Sequence, residues 1–234
     1  METILEGKGL TKWFGTGDAR VNAVDHVDFS IFEGELVVIL GQSGAGKSTL
    51  LNLLGGMDVP SEGELLFRGK NLAHVKTHER TEYRRNKVGF VFQFFNLMPN
   101  LTALENVEIV TELSKDSLSP KNVLEQVGLN KRMDHFPSQL SGGEQQRVSI
   151  ARAIAKNAEI ILCDEPTGAL DYENGKAVLS LLQRQSRVAH KTVIIVTHNG
   201  ALSLLADHIL RIRDGKIIED IRNEEPRSIE EIEW

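Results

Sequence analysis

The sequence predicts an α/β fold: a largely parallel sheet covered by helices, with a helical subdomain set into it. Three observations carry this. Compact apolar runs (ELVVIL at 35–40, EIILCD at 159–164, TVIIVT at 192–197) alternate with helical stretches, as expected of strands buried on both faces. A glycine-rich turn follows the first run and opens a helix. From Gln93 to about Asn157, strand texture gives way to helical stretches at 102–113, 120–128 and 141–157.

In chain order, residues 3–14 and 27–33 alternate as strands, with Val27, Phe29 and Ile31 facing one way and Asp28 and Ser30 the other. After the strand at 35–40, a helix is expected from about Lys47 to Gly55. A strand follows at 63–68 (GELLFR), then a basic helix at 77–87 and a buried strand at 88–92 (VGFVF). An amphipathic helix near 172–188 separates the strands at 159–164 and 192–197, and 208–213 reads as another strand. The chain beyond Glu219 is acidic and ends in Trp234; residues 221–234 are expected to form a mobile tail. The organisation expected is one domain, with a core from 1–93 and 158–220 and a helical subdomain at 94–157.

Composition narrows the classes. The chain has 234 residues, 41% hydrophobic and 26% charged, which is an ordinary globular balance. Lys and Arg total 27 against 33 Asp and Glu, a net charge of −6, which argues against nucleic acid as a partner. A single cysteine, Cys163, excludes an intramolecular disulfide and a cysteine-cluster metal site, and it reads as strand packing. No run of eighteen apolar residues exists, and residues 1–11 lack the layout of a signal peptide, so the expected compartment is the cytoplasm.

Residues 41–49 read GQSGAGKST, matching G-x-x-x-x-G-K-[ST] between an apolar strand and a helix. Gly41, Gly44 and Gly46 let the backbone aim N–H groups at phosphate oxygens, and the helix N-terminus adds its positive end. Gln42, Ser43, Ala45 and Thr49 complete the loop. Lys47 supplies a full charge to the β- and γ-phosphates, and the Ser48 hydroxyl can ligate Mg²⁺. A bare strand–turn–helix corner would need the glycines but not the adjoining Lys-Ser-Thr.

Far downstream, IILCDE at 160–165 puts two acids at a strand's C-terminal end, the edge where open α/β sheets bind ligands. Successive strand residues point to opposite sides, so different tasks are expected of the two. Asp164 would hold Mg²⁺ through water, and Glu165 would polarise an attacking water. At 140–147, LSGGEQQR opens a helix: Ser141 is a plausible cap, and Gly142 and Gly143 bare the first N–H groups. One triphosphate needs only one such cradle on its flank. The economical reading is that this second helix terminus closes over a nucleotide held by another subunit; the bland one is an ordinary capped helix.

With these motifs assembled, the chain resembles the ATP-binding subunits of ABC transporters over about residues 3–220. Residues 41–49 match the Walker A motif, 160–165 Walker B, and LSGGE at 140–144 the family signature. Gln93 matches the Q-loop, GALD at 168–171 the D-loop, and His198 the switch histidine. Phe14 matches the aromatic that stacks on adenine, with Trp13 the alternative one register away. GFVFQFFNLMPNLTALENVE at 89–108 looks like the macrolide-export and lipoprotein-release subgroup. Against the family pattern, the segment from Asn106 to Pro137 is somewhat short, and Gly168-Ala169 replaces the commoner D-loop pairs.

The resemblance implies a P-loop NTPase core with an N-terminal antiparallel β subdomain, and an ATPase that uses ATP and Mg²⁺. It implies a head-to-tail homodimer burying two nucleotides. Lys47, Ser48 and Gln93 would serve one nucleotide. Ser141, Gly142, Gly143, Glu144 and Asp171 would come from the opposite copy. Glu165 would activate water, His198 would fix the γ-phosphate, and Ser48, Gln93 and Asp164 would hold the metal. The implied partner is an integral membrane permease, of FtsX-like type for this subgroup, which would place the chain peripherally on the inner face of the membrane.

Two other classes fit part of this pattern. One is a soluble ABC-type ATPase outside transport, such as an iron–sulfur assembly factor. The other is a nucleotide-dependent regulator that does not hydrolyse. The short stretch between Gln93 and Ser141, without heptads, argues against the coiled-coil repair type. Finally, residues 68–87 hold seven Lys or Arg against two Glu. This is either a contact for anionic lipid or an acidic permease segment, or a solvated basic face.

Overall fold

The computed structural model describes residues 2–114 and 116–233. Two sheets form the body. The first pairs β1 (Thr3–Phe14), β2 (Val21–Phe32), β4 (Glu62–Phe67) and β5 (Lys70–Asn71) in the order β2-β1-β4-β5, all antiparallel. The second holds β3 (Leu36–Leu40), β6 (Val88–Val91), β7 (Ile160–Asp164), β8 (Thr192–Thr197), β9 (His208–Arg213) and β10 (Lys216–Arg222). Its order is β10-β9-β3-β8-β7-β6, and every pair is parallel except β10–β9. The helices are α1 (Lys47–Leu54), α2 (Thr77–Lys87), α3 (Ala103–Glu112), α4 (Pro120–Gln126), α5 (Gly142–Ala155) and α6 (Tyr172–Arg187).

The parallel sheet is buried on both faces because its apolar runs alternate between two cores. Leu36, Val38, Leu40, Ile161, Cys163, Val193 and Ile195 pack with residues of α3, α4, α5 and α6. Val37, Ile39, Ile160, Leu162, Ile194 and Val196 face α1 and the antiparallel sheet. Cys163 is therefore a core residue; burial pushes its thiol well above the ordinary range, which suits packing and not chemistry.

Three parts of the chain depart from expectation. β2 starts at Val21, well before 27, because its first half pairs with the end of β1 while its outer residues stay exposed. β10 is a strand for which no element was expected, and only its last two residues run into the expected tail at 221–234: Asp214 (φ 50°) and Gly215 (φ 77°) supply the two left-handed residues of a tight hairpin turn. The segment beyond it is docked rather than loose. Ile229 and Ile232 are each 2% exposed, anchoring it by about 1.5–3 kcal/mol apiece. Gln183 on α6 donates to Arg227 O at 2.8 Å and accepts from Ile229 N at 3.2 Å. Trp234 lies outside the described residues.

Part of the basic stretch is engaged within the molecule. Arg68 pairs with Glu2, Glu33 and Glu159, Lys87 also with Glu159, and Lys70 with Glu79. Arg84 donates to Gly56 O at 2.8 Å. These charges join the antiparallel sheet to α2 and the edge of the parallel sheet, while Lys76 and Arg85 of the same stretch are exposed.

His208 gives the fold a pH dependence. It is fully buried, with Nε2 2.7 Å from Asp220 Oδ1 and Nδ1 3.8 Å from Glu35 Oε2, while Arg222 pairs with Glu35. Burial pushes the imidazole below its ordinary 6.5, against the pull of Asp220. The unfolded chain therefore takes up this proton first, and stability falls as pH drops below about 6.5. The denaturation midpoint should decline between pH 7 and 5, and His208→Gln should flatten that decline. An unchanged slope in the variant would assign the acid sensitivity elsewhere.

Candidate active site: a nucleotide cleft at the strand ends

Strands β3, β8 and β7 are neighbours and parallel, so the three turns at their C-terminal ends converge. Leu40 is paired with Thr197, and Asp164 with Val196. This register brings the loop 41–46, the Asp164-Glu165 pair and Thr197-His198 to the rim of one cleft of about 760 Å³. The loop turns through left-handed glycines; at Gly46 (φ 100°) a Cβ would stand 2.0 Å from Ala23 O, so no side chain fits there. α1 starts immediately afterwards, so its unpaired first N–H groups face the cleft's loop.

Gln42, Ser43, Gly44, Gly46, Lys47, Ser48 and Thr49 line the cleft together with Gln93, Asp164, Glu165 and His198. Gly41 and Ala45 instead border a second cavity of about 410 Å³, which shares Gln42, Ser43, Gly44 and His198 with the first. Lys47 is buried along its stem and donates from Nζ to Gln42 O at 2.9 Å, which holds the ammonium at the loop it would share with phosphates. Ser48 Oγ lies 3.4 Å from Asp164 Oδ1. Burial raises the Asp164 carboxyl above its ordinary range, with Glu165 adding to the rise and Ser48 and Lys47 opposing it.

Glu165 is not a continuation of β7. Its φ of 45° is left-handed, and its N–H donates to Val196 O at 2.9 Å. The two acids diverge because the backbone turns at Glu165, which replaces the strand alternation expected from sequence. The Glu165 carboxylate accepts from Thr197 Oγ1 at 3.0 Å and meets His198 Nδ1 at 2.8 Å. An ionised carboxylate only accepts, so the proton of the second contact sits on the imidazole.

The LSGGE segment is built as a capped helix start. Ser141 Oγ accepts from Glu144 N at 3.2 Å, and Glu144 Oε2 accepts from Ser141 N at 2.8 Å. That N–H chiefly holds the Glu144 carboxyl below its ordinary range, with Arg132 at 2.9 Å assisting. As an acceptor in the cap, the Ser141 hydroxyl keeps its own proton to donate. Asp171 caps α6, accepting from Asn174 N at 3.0 Å and from Asn174 Nδ2 at 2.7 Å. Ser141, Gly142, Gly143, Glu144 and Asp171 all lie outside the cleft lining. So does Phe14, which is 50% exposed with Lys12 Nζ 5.2 Å from its ring centroid, while the Arg20 guanidinium lies 3.7 Å from the ring of Trp13.

The motifs of the sequence reading did not include several residues that shape the site. Ala23 lines the cleft, Thr197 holds Glu165, and Arg152 donates to Phe95 O and Asn96 O beside Gln93 at 2.9 and 2.7 Å. Thr197 had a legible signal, a hydroxyl residue ending an apolar strand directly before His198.

A family profile described as "ABC transporter" matches residues 24–168. The chain belongs to the ABC transporter family. Its relatives include an uncharacterized ABC transporter ATP-binding protein, MJ1508 of Methanocaldococcus jannaschii, 45% identical over 93% of this chain and 99% of that protein. A macrolide export ATP-binding/permease protein, MacB of Hyphomonas neptunium, is 43% identical over 95% of this chain, which spans only 35% of MacB. Among solved structures, the ATP-binding cassette MJ0796, as a dimer in a post-hydrolysis state bound to ADP and Pi, superposes with a TM-score of 0.86. That cassette is 39% identical, and the match covers 94% of this chain and 98% of the other.

This ABC cassette binds ATP and is an ATPase of a transporter; the P-loop core and the antiparallel sheet are the cassette fold. Among the described residues, no helix is long and apolar enough to cross a membrane.

Proposed function

We propose that two copies of this chain pair head to tail around two MgATP molecules and drive an integral membrane permease of FtsX-like type, in export or in extraction of lipoproteins or peptides. The observation that carries the pairing is the separation within one chain: Lys47, Ser48, Gln93, Asp164, Glu165 and His198 share a cleft, while the Ser141 cap lies outside its lining. A triphosphate gripped by the first set is left with a face that only a second chain's Ser141, Gly142, Gly143 and Glu144 segment would cover. That the similar MJ0796 cassette is dimeric supports a pair of copies.

In this reading Lys47 and the loop amides hold the β- and γ-phosphates, and Phe14, half exposed with the Lys12 ammonium 5.2 Å from its ring centroid, stacks on adenine. Glu165 takes the proton of the attacking water; Thr197 and His198 hold its carboxylate in place. Asp171 of the opposite copy meets the closed interface. Ser48, Gln93 and Asp164 would hold Mg²⁺, which when bound neutralises charge on the transferred phosphoryl group. The donor set fits a hard cation: a hydroxyl, an amide and a carboxylate. ATP demands donors from both copies, so hydrolysis weakens the pair and frees the two cassettes to separate.

The permease is supported by the likeness to MacB, an ATP-binding/permease protein. Purified through a tag from detergent-solubilised membranes of its source, the chain should bring down an integral membrane protein encoded beside it. Recovery of the chain alone, while its ATPase activity persists, would exclude the permease reading.

A further inference from the structure

One face of α5 is locked onto the segment that follows the catalytic carboxylate. Gly143, Gln146 and Arg147 occupy positions i, i+3 and i+4 of the helix and so share that face. A Cβ at Gly143 would stand 2.2 Å from Asn174 Oδ1, so the helix start is pressed against this side chain. Arg147 donates to Asn174 Oδ1 at 3.1 Å. Asn174 in turn donates from Nδ2 to Asp171 Oδ2 at 2.7 Å, and its backbone N–H donates to Asp171 Oδ1 at 3.0 Å. Gln146 is fully buried and donates to Pro166 O at 2.9 Å, one residue past Glu165. Its Oε1 has no hydrogen-bond partner among the described residues, so the contact with Pro166 O satisfies only the donor side of the amide. A buried Gln half-satisfied in this way is costly, and any slippage of α5 against Pro166 would leave it wholly unpaired.

We infer that Asn174 and Gln146 are positioning residues that make the start of α5 and the segment 165–174 move as one body. This rests on the paired-cassette reading above. In such a pair, Glu165 serves the nucleotide in its own cleft, whereas Ser141 at the start of α5 serves the other nucleotide. A rigid connection between the two means that closure of α5 over one site sets the position of Glu165 in the other. The two ATP sites of a pair are then coupled through each chain's own α5, without any contact between the nucleotides. Neither Asn174 nor Gln146 lines the cleft, so nucleotide binding to a single copy does not depend on them.

The test compares the parent with Asn174→Ala, which removes the shared amide at a half-buried position, and Gln146→Met, which keeps the volume and removes the donor. Both should bind ATP as a single copy like the parent. Both should lower kcat by about ten- to a hundred-fold, the effect of misplacing a reacting group by about an ångström. The Hill coefficient for ATP should fall toward one, with KM changing less than kcat. A variant whose only defect is a lowered Tm, with kcat and Hill coefficient within twofold of the parent, would overturn the positioning role. If the parent itself turned over ATP fully as a single copy, the paired reading would fail first. A parent that pairs with ATP beside two variants that match it in every kinetic measure sinks the coupling alone.

Discussion

Glu165→Gln should slow ATP hydrolysis by roughly 10²–10⁴-fold, the usual share of a general base, while ATP still binds. Gln has nearly the shape of Glu, so Thr197 Oγ1 can still donate to the retained carbonyl oxygen. What is lost is the oxygen that accepts a proton. Lys47, its bond to Gln42 O and the amides of the loop are untouched, so the affinity of a single copy for ATP should stay near that of the parent. Binding kept and turnover lost should trap the pair in its ATP state, visible as an ATP-dependent doubling of mass by sedimentation or size exclusion. Phosphate release gives the rate and equilibrium titration gives the affinity. Parent-rate hydrolysis by this variant would remove Glu165 as the base and direct attention to His198.

How much of this was legible in the sequence depended on the range of the interactions. The parallel strands were visible because burial on both faces leaves uninterrupted runs such as Leu36–Leu40, and the loop at 41–49 was visible because its chemistry is local. The first half of β2 was not: Val21 and Asn22 are exposed, and only the partner strand makes them extended. The β9–β10 hairpin carried a readable signal in Asp214-Gly215, which the acidic composition that follows obscured. The docking of Ile229 and Ile232 was hidden for a related reason: two apolar residues among acids read as a solvated tail until Gln183 and α6 lie beside them. At the site, Lys47, Ser48, Gln93, Asp164, Glu165 and His198 reach one cleft while Ser141–Glu144 and Asp171 lie outside it, yet the geometry between them was out of reach. The turn at Glu165, the Thr197 contact, and the links from α5 to Pro166 and Asn174 join positions far apart in the chain. No periodicity encodes such contacts.

Ser141→Arg should abolish ATP-dependent pairing while leaving ATP binding to the single copy intact. Each pair holds two such serines, and each would lose one hydrogen bond to a charged phosphate, worth about 1.5–3 kcal/mol. Together the losses weaken pairing by roughly 10²–10⁴-fold, before the bulk of Arg at the interface is counted. Ser141 also caps α5 through Glu144 N, and losing that cap costs about 1 kcal/mol of stability. Ser141→Ala is therefore the control, since it loses cap and donor without adding bulk. The decisive arrangement mixes Ser141→Arg with Lys47→Ala. Each variant alone should fail to pair, one for want of a closing donor and the other for want of a phosphate grip. In the mixed pair, the intact Lys47 of one chain faces the intact Ser141 of the other, so one complete site forms and ATP should draw the two together. A single-chain site would gain nothing from mixing, because each chain would still contain its own defect. Pairing of Ser141→Arg by itself at the parent's ATP concentration would show that this helix start does not close over a neighbour's nucleotide.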